Sequence, residues 1–136
     1  MNVDLLLIED NALISFTLKK LTEKFNKNIS LRIFNDGEKV LNYILKLEST
    51  NLPKLILLDI NIPIINSWQL LDKLESFNHS ILSVPFFITS SSENIIDIEQ
   101  SRKRQYIKGY LKKPLNKEQY FALLEEYLKI ENVIYK

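Results

Sequence analysis

The chain has 136 residues, with 18 Lys+Arg against 17 Asp+Glu, a net charge of +1, one His and no Cys. A length of this order suits one domain, and 46% hydrophobic with 26% charged residues describes a chain that can bury a core. Disulfides, thiolate metal sites, thiol nucleophiles and multi-histidine centres are excluded, and a net charge near zero offers nucleic acid or anionic lipid no field of one sign.

Val3–Ile8 is an apolar run broken only by Asp4, the pattern of a strand buried on both faces. Over Ala12–Phe25 apolar residues recur at helical spacing: Leu13, Phe16, Leu21 and Phe25, with Ile14 and Leu18 widening the stripe. Ile29–Phe34 alternates and predicts a second strand. Asp36 predicts a helix cap, followed by Val40, Leu41, Ile44, Leu45 and Leu47 on one side. Leu55–Ile60, after Pro53, predicts a central strand, and Asn61–Asn66 with Pro63 predicts a loop. Ser67–Phe77 is helical in pattern, with Trp68, Leu70, Leu71, Leu74 and Phe77 apolar. Val84–Thr89 predicts the fourth strand. Ser92 predicts the cap of a helix carrying Ile95, Ile96 and Ile98 and reaching about Arg104. Tyr106–Leu111 predicts the last strand, stopped by Lys113–Pro114, and Asn116 to about Ile130 the last helix.

Strand and helix thus alternate along the whole chain, which predicts an α/β fold of three layers around a parallel sheet, with helices on both faces. The N-terminus has no signal-peptide pattern, and no uncharged apolar stretch approaches the ~18 residues of a membrane helix. The expectation is one cytoplasmic domain over residues 1–136, with no membrane or direct nucleic-acid contact.

Ligands of open parallel sheets bind beyond the carboxyl ends of the strands. The polar residues expected there are Glu9 and Asp10 after the first strand, and Asp59 and Asn61 after the third. Thr89, Ser90 and Ser91 follow the fourth, and Lys113 with Pro114 follows the fifth. Three carboxylates together repel unless a cation intervenes, and a hard ion such as Mg2+ suits oxygen donors in a set without His or Cys. A lysine and a hydroxyl beside that ion make a clamp for a phosphoryl group, and an Asp carboxylate is a competent phosphoryl nucleophile. The only glycines are Gly37 and Gly109, so neither a dinucleotide fingerprint nor a P-loop is present.

Three segments carry a family resemblance: Leu-Leu-Ile-Glu-Asp-Asn at the first strand, Leu-Leu-Asp-Ile-Asn-Ile-Pro at the third and Gly-Tyr-Leu-Lys-Lys-Pro-Leu at the fifth. In this order and spread across the chain, they resemble the receiver domain of two-component response regulators, of the chemotaxis-regulator type. The resemblance implies a flavodoxin-like (βα)5 fold, a doubly wound five-stranded parallel sheet of strand order 2-1-3-4-5. It implies that Asp59 accepts a phosphoryl group from a histidine kinase or histidine phosphotransfer protein. Asp10 would bind Mg2+ directly, Glu9 through water, and Asn61 through its backbone carbonyl. Lys113 would pair with the phosphoryl oxygens, and Pro114 would follow a cis peptide. Tyr110 matches the aromatic switch, which turns inward on phosphorylation; an aromatic at a strand end is also ordinary packing. Counted from Pro85, the switch hydroxyl is Ser90, and Ser91 would then be the small residue giving access to Asp59; one residue of slip would select Thr89 as the hydroxyl instead.

Two positions depart from the pattern. Glu9 replaces the commoner Asp, and Ser67 stands where many receivers have Gly, at a strain cost of order 1 kcal/mol if that position needs positive φ. The expected role is a stand-alone phosphoacceptor, monomeric or dimerising on phosphorylation, that catalyses only its own phosphorylation and dephosphorylation and is not a metabolic enzyme. Its output face would be the fourth helix, fifth strand and fifth helix. The competing reading is an interaction module that keeps the fold without phosphorylation. A phosphohydrolase is disfavoured because position 61 is Asn where an acid is needed. His79 is expected in an exposed loop without a role, Trp68 in the core or its rim, and Arg102-Lys103-Arg104 as a solvated helix end.

Overall fold

Leu5–Ile8 (β1) and Leu55–Asp59 (β3) are adjacent parallel strands in which every residue is buried. The structure is a computed structural model and describes residues 2–128. The remaining elements are α1 (Ala12–Phe25), β2 (Leu31–Phe34), α2 (Gly37–Leu45), α3 (Ser67–Ser76), β4 (Phe86–Ser90), α4 (Ile95–Arg102), β5 (Ile107–Lys112) and α5 (Lys117–Leu128). The five strands form one parallel sheet in the order β2-β1-β3-β4-β5, the flavodoxin-like arrangement.

Strand alternation divides the core in two. Leu5, Leu7, Leu55, Leu57 and Phe87 face one way and pack with Leu18 of α1 and Tyr120, Leu123 and Leu124 of α5. Leu6, Ile8, Ile56, Leu58, Phe86 and Ile88 face the other way, onto Val40 and Ile44 of α2 and Leu70, Leu71 and Leu74 of α3. Each central strand is therefore apolar on both sides, which is why its sequence shows a continuous run instead of an alternation.

The helices differ from expectation in detail. In α1 the docked face follows Ile14, Leu18, Leu21, Thr22 and Phe25, whereas Leu13 and Phe16 are 73% and 56% exposed. Burial of Thr22 draws that face around the helix, because its hydroxyl binds the Tyr120 hydroxyl at 2.7 Å. In α2, Leu45 is likewise exposed. The cap of α4 is Asn94, whose side chain accepts from Ile96 N–H at 2.8 Å; the Ser92 hydroxyl instead accepts from Asn94 N–H at 3.1 Å. Asn caps as well as Ser and lies directly before the first helical residue. Ile95 and Ile96 consequently point to solvent, and the helix stops at Arg102. A 3-10 turn at Ser80–Ser83, absent from the expectation, delays β4 to Phe86; His79 is half-buried and accepts Ile81 N–H on Nδ1 as its cap. β1, β2 and β5 start later than expected, at Leu5, Leu31 and Ile107; β3 and α3 end one residue earlier, at Asp59 and Ser76; β4 and β5 run one residue further, to Ser90 and Lys112; and the expected extension of α5 to Ile130 lies outside the described residues.

A polar cluster fastens α4 to α3. Arg104 lies over the Trp68 ring at 5.3 Å and binds Asp72 at 2.7 Å and Glu75 at 2.8 Å, while Trp68 Nε1 donates to Asp97 at 3.0 Å. Tyr106 also donates to Glu75, at 2.6 Å. Arg104 of the basic triplet is thus held by carboxylates at a half-buried position, not solvated, while Arg102 and Lys103 are exposed.

Candidate functional site

The carboxyl ends of β1, β3 and β5 bring Glu9, Asp10, Asp59 and Lys113 together. Glu9 directly follows β1, and Asp59 is the last residue of β3; both are on the α1–α5 side by strand phase, and both are buried. Lys113 follows β5, and its backbone N–H donates to the Ser90 carbonyl at 2.7 Å, which ties the exit of β5 to that of β4. The Lys113–Pro114 peptide is cis.

Lys113 Nζ is 3.1 Å from Glu9 Oε1 and 3.1 Å from Asp59 Oδ2. The other oxygens meet backbone donors: Asn61 N–H donates to Asp59 Oδ1 at 3.2 Å, and Asn11 N–H to Glu9 Oε2 at 3.1 Å. Burial, reinforced by the Asp59 charge, pushes the Glu9 carboxyl up to about 7 despite the opposing help of Asn11 and Lys113. Burial would lower Lys113, but the bond to and charge of Asp59, with those of Glu9, outweigh it and raise the ammonium pKa. One cation is thus shared between two buried acids, with Asp10 exposed at the rim.

Glu9, Asp10 and Asp59 can each present a carboxylate oxygen within 4.8 Å of the others. They open into a cleft of about 470 Å3 that Asn61, Ser91 and Lys113 also line. An all-oxygen donor set with excess negative charge fits a hard divalent ion and lacks the nitrogen or sulfur ligands that zinc prefers.

Ser90 is fully buried at the end of β4, and its hydroxyl accepts from Ser92 N–H at 3.0 Å. Thr89 pairs with Asp59 in the β3–β4 register and lines a small, mainly apolar pocket of about 190 Å3 with Leu7, Ile14, Leu18 and Leu115, which Glu9 and Lys113 also border. The Tyr110 ring is half-buried against α4, and its hydroxyl donates to the Ser92 carbonyl at 3.1 Å.

A model of the response regulator receiver domain matches residues 5–125. The chain belongs to the response regulator receiver domain family. It is 27% identical to a two-component response regulator from Legionella pneumophila, with a TM-score of 0.80 and 95% of this chain and 100% of that one covered. A response regulator receiver protein from Dyadobacter fermentans is 26% identical, with a TM-score of 0.75 and coverage of 93% and 98%. A response regulator solved in its Mn2+-bound form shares the fold at 21% identity, with a TM-score of 0.76 and coverage of 98% and 99%. None of the curated proteins matches the chain in sequence. Receivers are signalling domains of two-component systems and not metabolic enzymes; they bind Mg2+ or Mn2+ at an acidic pocket, and this receiver has the acidic cluster for it. No helix among the described residues is long and apolar enough to cross a membrane.

Two site contacts escaped the sequence. Asn11 entered only as the last residue of the first-strand segment Leu-Leu-Ile-Glu-Asp-Asn, yet it caps α1 through its side chain and braces Glu9 through its backbone. Ser67 stood out as a departure from Gly, but for the wrong reason. It does not have positive φ; the left-handed residue of the β3–α3 loop is Ile64, at φ 71. Ser67 instead buries a hydroxyl that donates to the Asp59 backbone carbonyl.

Proposed function

We propose that this receiver takes a phosphoryl group onto Asp59 from a histidine kinase or phosphotransfer protein and thereby switches a protein-binding face. The observation that carries this reading is the Asp59 carboxylate itself: nearly solvent-free, held by Lys113 at 3.1 Å, and opening into a cleft with two further acids. A buried acid in such company is costly unless it serves a purpose.

The Asp59 carboxylate attacks the phosphorus of a phosphohistidine. An O–P bond forms, the N–P bond breaks, and its electron pair stays on the imidazole nitrogen, which takes a proton from water. Lys113 orients Asp59 before the attack and faces the phosphoryl oxygens after it. Asp10, Asp59 and the Asn61 carbonyl would hold Mg2+, with Glu9 reaching it through water; the ion supplies charge neutralisation at the phosphoryl oxygens. Ser91 leaves the cleft open beside Asp59. Ser90 is the hydroxyl that follows the new charge, because it ends β4 next to Ser91, which lines the Asp59 cleft, and is held by one N–H bond, whereas Thr89 lines the neighbouring, mainly apolar pocket instead of that cleft. Movement of Ser90 and Tyr110 would shift the α4–β5–α5 face between two populations.

The test is intact-mass analysis after incubation with Mg2+ and acetyl phosphate, or with a phosphorylated histidine donor, for wild type and Asp59→Asn. The expected result is one added phosphoryl group in the wild type alone. Failure with both donors, together with absent Mg2+ binding, would leave a phosphorylation-independent interaction module.

A further inference from the structure

Ser67 opens α3 and is fully buried. Its hydroxyl donates to the Asp59 carbonyl, and its N–H donates to the Ile60 carbonyl at 3.4 Å. The residue before it, Asn66, is extended and locked in a capping box with Gln69, so Ser67 enters the helix at a fixed position. These bonds close the 60–66 loop at its neck. Inside the loop Asn61 N–H donates to Asp59 Oδ1 at 3.2 Å, and the Pro63 carbonyl accepts from Gly37 N–H at 3.2 Å. Ser67 stands where many receivers have Gly, which has no hydroxyl to offer, so a receiver with Gly there lacks this bond.

We propose that Ser67 is a positioning residue for the acceptor and its cation: its hydroxyl fixes the end of β3 and the adjoining peptides so that the Asp59 carboxylate and the Asn61 carbonyl face one divalent ion. This rests on the reading that Asp59 and Asn61 hold Mg2+. Residues that orient metal ligands from behind influence affinity by ~10–100-fold. A hydroxyl that only satisfied a buried carbonyl would contribute to stability and leave cation affinity alone.

Calorimetric titration with Mg2+ separates the two roles. The proteins are the full chain, Ser67→Ala, Ser67→Gly and Thr22→Val, with urea unfolding in chelator to record stability. Thr22→Val is the control, because it breaks the buried Thr22–Tyr120 bond between α1 and α5. Both Ser67 variants are expected to bind Mg2+ roughly tenfold more weakly or worse, and Thr22→Val to bind within about twofold of wild type although it is less stable. Acetyl phosphate labelling of Ser67→Ala is expected to recover at saturating Mg2+. Ser67 variants that fold and bind Mg2+ within about twofold of wild type would overturn the inference, and so would loss of folding in both. A wild type that binds no Mg2+ would remove the underlying reading itself, a result distinct from any confined to the variants.

Discussion

Ser90 and Tyr110 are joined through a single residue: Ser92 N–H donates to the Ser90 hydroxyl at 3.0 Å, and the Ser92 carbonyl accepts from the Tyr110 hydroxyl at 3.1 Å. A shift of the Ser90 hydroxyl toward Asp59 would release the Ser92 N–H and disturb the seat of the Tyr110 ring.

Ser90→Ala is therefore expected to slow acetyl phosphate labelling of Asp59 by ~10²-fold, in line with loss of one donor to a developing oxyanion. Thr89→Ala, which enlarges a mainly apolar pocket, should leave the rate within a few-fold. Time courses of intact mass for the two variants decide which hydroxyl acts, and equal losses would reject the assignment of Ser90.

Glu9 makes metal-free stability depend on pH. Its carboxyl is raised from 4.5 to about 7 in the folded chain, so between those values the native state holds a proton that the unfolded chain has released. Stability from this group is full below the lower value and is lost as pH rises toward 7, by at most about 3 kcal/mol. In chelator, urea midpoints of the wild type should fall from pH 5 to pH 8, while those of Glu9→Gln should stay flatter and exceed wild type at pH 8. Mg2+ at a hundredfold excess over its Kd should restore about 2.7 kcal/mol. A wild-type profile that is flat in chelator would sink the argument.

Gly37 opens α2 against the β3–α3 loop, and a Cβ there would lie 2.2 Å from the Ile65 carbonyl oxygen. Gly37→Ala gains up to ~1 kcal/mol of helix propensity but must displace that backbone. The expected balance is a net loss of about 1–3 kcal/mol, measured by urea unfolding. A stabilised variant would show that the loop yields freely.

Ile64 carries the opposite sign. It is a β-branched residue at φ 71 with 67% of its surface exposed, so its side chain gains little from packing. Ile64→Gly or Ile64→Asn should stabilise the chain by roughly 1 kcal/mol through relief of the left-handed backbone. Thermal unfolding of the two variants tests this, and a lower midpoint in both would refute it.

The alternation of elements was legible because the central strands are buried on both faces, which leaves uninterrupted runs such as Leu55–Leu58. Glu9, Asp59 and Lys113 were legible because the topology of a parallel sheet brings the ends of its strands to one edge, whatever their separation in sequence. Which face of α1 docks was not, since Leu13 and Phe16 satisfy helical spacing as well as the residues that are buried, and Thr22 gives its signal only through Tyr120, a partner 98 positions away. The start of α4 was misread because Ser92 and Asn94 are both competent caps. The Ser67 hydroxyl was hidden for a related reason: a residue type shows what a side chain can donate, and the fold decides which carbonyl it meets.

Trp68 is the only tryptophan in the sequence, and it is wired across the gap between α3 and α4. Its indole N–H binds Asp97 on α4, and the Arg104 guanidinium covers its face. Departure of α4 from α3 would take Asp97 from the indole N–H, while Arg104, which follows α4 in the chain, is held to α3 by Asp72 and Glu75. The ultraviolet emission of Trp68 is therefore expected to report, without a label, docking and release of α4, the helix that the function proposed above places in the output face.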